Sequence, residues 1–292
     1  RRRPAVYAFS DEGSLHLSDT IENKGLSWYI NECAGIIPGG PGNQPADSVI
    51  KPFNPPKPYT KETVIVSKPL LKGILSTFHQ HSPYKIDGQN CPVGCVPLAI
   101  GTVMAYYKWP AKYENYTFSW DNMLANSSNT LWARLFEIIG RPFNVTANYG
   151  LETTSAPVSN ITRAMKNMGY QNTICSYYQN SIIEQELEGN HPILCHGYRT
   201  DPETNKRVGH MWVIDGGYYT KETNQIGFGN DYYYKYYYHC VWGWGVKANG
   251  YFLIDTYYVE VGGTPVERDP YSYGESPTYK DLGIVYGYRP IK

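Results

Sequence analysis

One cysteine stands where the chain is predicted to enter a helix. Cys95 follows Gly94, and apolar residues recur after it at helical spacing as far as Tyr107, before Pro110 ends the pattern. The first turn of a helix offers unpaired N–H groups and the positive end of the helix dipole, and both favour a thiolate. Cys95 is therefore a candidate nucleophile, although a cysteine in an apolar helix is more often a small buried hydrophobe.

A nucleophilic thiol needs a base that takes its proton and later returns it to a leaving amine, and histidine titrates in the range for that task. The chain contains seven histidines. His210 opens a predicted strand directly after a polar loop, so the strand would fix its backbone while the ring reaches a cleft. Most histidines are surface or satisfied core residues, so position alone leaves the role of His210 open.

Tryptophans alternate with glycines in the segment Trp242-Gly-Trp-Gly245. An indole beside a catalytic pair would exclude water and strengthen the electrostatic interactions inside the site. The same residues would also serve as ordinary aromatic core. From the residues alone, both interpretations stay open.

Composition argues against several classes of protein. The 292 residues carry a formal net charge of zero and no long basic run beyond Arg1 to Arg3, which makes nucleic acid or an anionic membrane an unexpected partner. No apolar stretch is long enough to span a bilayer. Cys91, Cys95 and the pair Cys195-His196 could be considered a zinc cluster, but their spacings match no compact zinc motif. No metal or organic cofactor is expected.

The order of predicted elements indicates an α+β fold. Helices are expected near 131–140 and 161–169, and Ser181 with Glu184 forms a capping-box pattern for a third. Segment 118–121 is expected to be a turn. The predicted strands, separated by Gly, Asn and Asp turns, are 63–67, 193–198, 211–215, 226–228, 232–241, 251–256 and 283–288. A cleft between a helical half and a sheet half is a natural place for catalysis.

Two further regions stand out. Residues 1–37 form a predicted strand-plus-helix unit with little core of its own, and residues 38–67 are a connector rich in proline and glycine that would be a good protease target. The tyrosine run at 232–238 is typical of strands with solvent-exposed edges, and a tyrosine-rich binding surface is the alternative. The catalytic domain is predicted to span 68–292.

Several short segments follow one another along the chain: Gln80-x-x-Pro83-Tyr84, Gly94-Cys95-Val96, Lys108-Trp109-Pro110, Gly209-His210 with Val213-Ile-Asp-Gly216, Trp242-Gly-Trp-Gly245 with Gly250-Tyr-Phe, and Gly283-Ile-Val-Tyr-Gly. Together they extend over about residues 68–292, and their order and spacing carry more weight than any one of them. In this order they resemble the streptopain-type cysteine peptidases, a family of secreted bacterial enzymes with a papain-like fold.

The resemblance implies a role for four residues. Cys95 would be the nucleophile of a cysteine endopeptidase, and His210 would be its general base and acid. Gln80 would donate to the oxyanion together with the backbone N–H of Cys95, and Trp242 would flank the histidine. Gln89 competes with Gln80 because it is closer to the thiol in sequence. The resemblance also implies protein or peptide substrates and a secreted, cell-surface or periplasmic location in a bacterium.

One position departs from the family pattern. Val241 replaces the asparagine that usually precedes the tryptophan and orients the histidine. Either a backbone carbonyl or another polar group orients His210, or activity is reduced. Val241 therefore suggests, as one alternative, an impaired family member that acts as a binding or scaffold protein. A second alternative, independent of Val241, is a thiol amidase or transglutaminase on the same fold.

Residues 1–37 resemble the C-terminal part of the family's pro-region. A pro-segment of this kind docks beside the cleft and keeps the enzyme latent until the connector is cut. The resemblance therefore implies a latent or partly processed zymogen whose own pro-region is one of its partners.

Overall fold

The computed structural model describes residues 60–201, 204–226, 229–253 and 279–291. All of them belong to the second of two compact units, Pro56–Lys292. The predicted unit 1–37, most of the connector 38–67 and the end of the strand predicted at 251–256 lie outside the described residues. None of the described helices is long and apolar enough to cross a membrane.

The described residues form helices and antiparallel strands, so the α+β prediction is confirmed. Short 3-10 helices occur at Gly73–Ser76, Val158–Asn160 and Val246–Ala248. In chain order the strands and α-helices are β1 (Thr60–Ser67), β2 (Pro83–Ile86), β3 (Gln89–Pro92), α1 (Cys95–Tyr107), β4 (Lys112–Tyr113), β5 (Tyr116–Thr117), α2 (Trp120–Ala125), α3 (Thr130–Gly140), β6 (Asn148–Tyr149), β7 (Thr154–Ser155), α4 (Ile161–Asn167), β8 (Tyr170–Gln171), β9 (Ile174–Tyr177), α5 (Asn180–Glu188), β10 (Ile193–Thr200), β11 (Arg207–Ile226), β12 (Gly229–Val241), β13 (Gly250–Leu253), β14 (Lys280–Tyr286) and β15 (Arg289–Pro290).

A seven-stranded sheet combines β1 and β9 with five strands that follow α5. Its strands are ordered β13-β12-β11-β10-β14-β9, and β1 joins by pairing with β11. All of these pairings are antiparallel. Strands β10 and β1 occupy one edge of β11 in succession, through Arg207–Ile214 and then Gly217–Thr223, while β12 covers the other edge. The strand predicted at 63–67 is therefore part of the main sheet.

Strand β11 is longer than predicted. The strand predicted at 211–215 was expected to end before Gly216, and instead one strand of 20 residues runs from Arg207 to Ile226. Residues 227 and 228 of the strand predicted at 226–228 lie outside the described residues. The pairing with β12 shifts register between Ile214 and Gly216, and it continues through Gly216 and Gly217. A Cβ on Gly216 would lie 2.9 Å from the backbone nitrogen of Pro69. Gly216 therefore does not end the strand. It allows the chain before the 3-10 helix at Gly73–Ser76 to approach the sheet closely.

The two faces of the sheet bury two different cores. Alternate residues point to opposite faces of a strand, so Met211 and Val213 pack with α1 and α3, whereas Trp212 and Ile214 pack with α5 and Trp242. Helix α1 is buried from Val96 to Ala105 and is the central helix of the first core. Its position explains the nearly continuous apolar sequence that follows Cys95.

Two local predictions were wrong. The segment expected to be a turn at 118–121 leads into α2, which begins at Trp120, because the indole N–H of Trp120 donates to the carbonyl of Pro110 and its ring is buried. The residue before α5 is Gln179, so Ser181 lies inside the first turn and is not the cap. The tyrosine run is in β12 as predicted, and Tyr232, Tyr233 and Tyr234 are about half exposed.

Candidate active site

Cys95 is the first residue of α1, and the backbone before it is tightly fixed. The N–H of Gly94 donates to the carbonyl of Gln80 at 3.0 Å, and the carbonyl of Gly94 accepts from Leu98 N–H at 3.2 Å. Gly94 has φ of +80°, and a Cβ there would lie 2.8 Å from Cγ2 of Thr154. Only glycine tolerates both the positive φ and the close contact, so Gly94 fixes the start of the helix directly before Cys95. The Cys95 thiol is half-buried.

Opposing effects act on the Cys95 thiol. Burial raises its pKa, and hydrogen bonds from the backbone N–H groups of Met211, Cys95 and Val96 lower it in part. Two of these donors belong to the first turn of α1, and the third comes from β11. A thiolate formed here has donors already in place, because the helix start and the strand both direct N–H groups at the sulfur.

His210 lies in β11, opposite Gly197 of β10, and only 6% of its surface is exposed. Its Nε2 is 2.9 Å from the backbone carbonyl of Trp242. A carbonyl only accepts, so Nε2 carries the proton and Nδ1 is left with a free lone pair. Burial lowers the pKa of His210 to about 3; Arg199 and His81 add to the decrease, and the Trp242 carbonyl opposes it.

Aromatic rings surround the His210 imidazole. The nearest is Trp244, stacked at 4.5 Å between ring centroids, whereas Trp242 and Trp212 each lie at 6.0 Å. Tyr279 is 5.9 Å away. Trp242, the predicted flanking residue, therefore lies farther from the histidine ring than Trp244 does. Its backbone carbonyl accepts the hydrogen bond from Nε2 of His210. Trp244 covers the ring face most closely and, unlike Trp242, is partly exposed.

Gln80 and Gln89, the two candidates for the oxyanion donor, occupy different environments. Gln80 is half-buried; its carbonyl accepts from Gly94, next to Cys95, and its side-chain Nε2 lies 3.3 Å from Nε2 of His81. Its Oε1 is buried without a hydrogen-bond partner among the described residues. Gln89 is exposed at the start of β3, after the turn from β2. The geometry favours Gln80 because its backbone is joined to the residue before the thiol.

Backbone hydrogen bonds connect the segments that carry the candidate residues. Gly94 donates to Gln80, and Gln80 N–H donates to the carbonyl of Gly243 at 2.7 Å. Gly243 directly follows Trp242, whose carbonyl holds His210. The helix start, the Gln80 segment and the 242–243 segment are thus linked in one chain of hydrogen bonds.

Cys95 and His210 line the same cavity of about 250 Å³. The remaining wall comes from 154–158 on one side and from 196–198 with Gly209 on the other. In the described part of the chain no hydrogen bond joins the Cys95 thiol to the His210 ring. Contacts of this type are often long in a free enzyme and shorten when substrate binds.

Sequence reasoning missed three residues at this site. Trp244 was noted only as part of a motif, and Tyr279 was not considered, because its distance along the chain from His210 gives no local signal. Asn249, whose side-chain Oδ1 accepts from the backbone N–H of Trp242 at 3.2 Å, precedes the strand predicted at 251–256 and was not predicted to belong to the site. The question raised by Val241 has a structural answer: the group that accepts a hydrogen bond from His210 is a backbone carbonyl.

Among the described residues, no three His, Cys, Asp or Glu side chains are grouped as metal ligands would be.

Comparison with known proteins gives consistent matches. The model of a family described as the Peptidase C10 family matches residues 75–252. Streptopain of Streptococcus pyogenes serotype M1 is 24% identical over 251 residues, which cover 66% of this chain and 58% of the relative. The thiol protease/hemagglutinin PrtT of Porphyromonas gingivalis is 25% identical over 226 residues, which cover 65% of this chain and 23% of the relative. No solved structure was found to match.

The family match includes both candidate catalytic residues and extends over more than half of the chain, whereas the alignment spans little more than half the length of the streptopain relatives. The chain belongs to the Peptidase C10 family, as a streptopain-type member.

Proposed function

We propose that this chain is a cysteine endopeptidase in which Cys95 and His210 form the catalytic dyad. The observation that carries the proposal is that both side chains line one cavity, the thiol at a helix start and the imidazole with its Nε2 proton held by Trp242. Membership in the Peptidase C10 family supports the same reaction. Protein or peptide chains are the proposed substrates.

The reaction begins when Nδ1 of His210 takes the proton from the Cys95 thiol and the sulfur attacks the carbonyl carbon of the scissile bond. The resulting oxyanion accepts hydrogen bonds from the backbone N–H of Cys95 and from the side-chain amide of Gln80. His210 then gives its proton to the amine nitrogen, and the C–N bond breaks to leave a thioester. A water molecule deprotonated by His210 hydrolyses the thioester, which releases the acid and restores the thiol.

The electrostatics of the free enzyme favour the neutral pair, because burial raises the pKa of Cys95 and lowers that of His210. Transfer of the proton creates two opposite charges side by side. The thiolate then meets the N–H donors of the helix start, and the imidazolium donates to the Trp242 carbonyl. These preset groups stabilise the ion pair without the need for water to reorganise.

We also propose that the enzyme is made as a secreted, latent precursor. This rests on the resemblance of residues 1–37 to a pro-region and on the proline-rich sequence of residues 38–67. Trypsin is a poor tool for releasing the segment, because Lys51 and Lys57 both precede proline and Lys61 lies in β1. A recognition sequence for a highly specific protease, inserted between Gly40 and Pro41, permits a single controlled cut.

The test measures digestion of unfolded casein under reducing conditions before and after that cut, with Cys95→Ala beside the parent chain. We expect cleavage that rises after the cut and is absent in Cys95→Ala. A chain that stays inert after a complete cut would overturn the peptidase proposal. Incorporation of an added amine into casein without chain cleavage would instead identify a transglutaminase.

A further inference from the structure

Asn249 connects two backbone segments that meet at the active site. Its Oδ1 accepts from the backbone N–H of Trp242 at 3.2 Å, and its Nδ2 donates to the carbonyl of Ser76 at 2.7 Å. Ser76 ends the 3-10 helix just before the segment that carries Gln80. A single side-chain amide therefore spans from the backbone that orients the histidine to the backbone that leads to the oxyanion donor.

The position of Trp242 makes this contact consequential. The N–H of Trp242 is held by Asn249, its carbonyl accepts from His210 at 2.9 Å, and the carbonyl of the next residue, Gly243, accepts from Gln80. Gly243 has φ of +75°, so the chain turns sharply between the two acceptors. The direction of the Trp242 carbonyl therefore depends on how well the peptide before this turn is fixed.

The two segments are joined at further points. Gly245 N–H donates to the carbonyl of Phe78 at 3.1 Å, and His79 forms a β-bridge with Trp244. These bonds lie after Trp242 in the chain, whereas the Asn249 side chain acts on its N–H. Movement of the 76–80 segment would pass to Trp242 through Asn249.

We propose that Asn249 is a positioning residue for His210, which acts through the Trp242 backbone and takes over the orienting task that a side-chain amide at position 241 would perform. In this chain the Val241 side chain has no polar atom to offer, and the orienting amide instead comes from Asn249, with the backbone of Trp242 between it and the imidazole. The inference rests on the proposed function and adds a residue to its machinery.

The test uses two substitutions that keep the branching of the asparagine side chain at Cγ. Asn249→Leu removes both hydrogen bonds, whereas Asn249→Asp keeps an acceptor for the Trp242 N–H and loses the donor to Ser76. We expect Asn249→Leu to lower kcat by about tenfold, the size expected for loss of a buried hydrogen bond network, with KM little changed. The aspartate variant should be intermediate.

A second readout separates positioning from general weakening of the fold. The rate of Cys95 alkylation by iodoacetamide is measured against pH, with the modified cysteine identified by peptide mapping. In the neutral pair the thiol must pass its proton to His210 before the sulfur attacks the reagent, and a poorly held imidazole stabilises the resulting ion pair less well, so Cys95 alkylation near neutral pH should be slower in Asn249→Leu. Asn160→Leu is the matched control, because the Asn160 amide also donates to a backbone carbonyl, that of Val145 at 3.2 Å, outside the site.

The outcomes distinguish the two proposals. Slower Cys95 alkylation near neutral pH in Asn249→Leu, with the parent rate in Asn160→Leu, supports the positioning role. A parent-like profile and kcat in Asn249→Leu would overturn it while the peptidase proposal stands. If His210→Ala leaves the rate of Cys95 alkylation near neutral pH unchanged, the proposed dyad is wrong and the role of Asn249 is overturned with it.

Discussion

The surroundings of the nucleophile and of the base are specified in different ways. Cys95 owes its position to its own neighbours: Gly94 turns the backbone, and the first turn of α1 supplies two of the three N–H groups at the sulfur. The ring of His210 is enclosed by residues far along the chain, among them Trp244 and Tyr279. The nucleophile is encoded locally, whereas the base depends on the assembled sheet.

At both residues, hydrogen bonds oppose the pKa shift that burial causes, but the hydrogen-bonding groups are of opposite kinds. Burial raises the pKa of Cys95, and backbone N–H donors oppose the shift; burial lowers the pKa of His210, and the Trp242 carbonyl opposes that shift. Donors surround the group that becomes an anion, and an acceptor faces the group that becomes a cation. The difference indicates that substitutions near the base should act through orientation, and substitutions near the thiol through the helix start.

The largest effect is expected from loss of the base. His210→Ala should lower kcat/KM by about 10³-fold or more, because both proton transfers lose their carrier. His191→Ala is the matched control: burial also lowers the pKa of His191, and its ring contacts the hydroxyl of Tyr107, not Cys95. Casein or peptide hydrolysis by both purified variants is the measurement. Equal activity of the two variants would contradict the assignment of His210.

The next effect is expected from the oxyanion donor. Gln80→Ala should lower kcat by about 10²- to 10³-fold, the usual result of removing one such donor. Gln89→Ala should retain the parent activity, because its side chain is exposed at the start of β3. Steady-state kinetics on a peptide substrate separate kcat from KM. A large loss in Gln89→Ala with none in Gln80→Ala would reverse the assignment.

The contrast between the two environments explains what could be predicted from sequence. The α1 helix start was visible at Gly94-Cys95 because glycine and helical periodicity are local signals. The α+β class followed from the order of helices and strands. By contrast, the single long strand β11 was not expected. A glycine pair such as Gly216-Gly217 looks the same in a sequence whether it forms a turn or lies in a strand against which another residue, here Pro69, packs closely.

The environment of His210 was beyond local patterns for the same reason. The resemblance directed attention to Trp242, and the structure adds that its carbonyl accepts from the ring and that Trp244 lies closer. The part played by Asn249 depends on a hydrogen bond to Ser76, which lies 173 residues earlier. Such contacts are set by the packing of two distant segments, and neither segment alone signals the other.

A glycine pair tests the local half of the comparison. Gly94→Ala should destabilise the fold by about 1–3 kcal/mol through backbone strain, with further loss from the contact with Thr154, and activity should fall with it. Gly88→Ala has the same sign of φ, +82°, but nothing lies within 4 Å of the added Cβ. It should therefore show strain alone and keep its activity. Thermal unfolding and peptide hydrolysis of both variants are the measurements, and identical activities would refute the requirement at Gly94.

The smallest effect is expected in the pH dependence of stability. The pKa of His210 is about 3 in the folded chain against an ordinary 6.5, so below pH 6.5 the unfolded chain binds a proton that the folded chain does not. Stability should therefore fall as pH decreases from 6.5 towards 3.

His210→Asn removes this titration and isolates it from the other histidines. Between pH 6.5 and 5 the parent chain should lose about 1.5–2 kcal/mol of unfolding free energy more than the variant. Cys95 adds nothing in this range, because its raised pKa keeps the thiol neutral. Urea unfolding at several pH values provides both curves. Parallel curves would show that burial does not hold the imidazole in its neutral form. The contrast between the electrostatics of His210 and those of Cys95 would then fail.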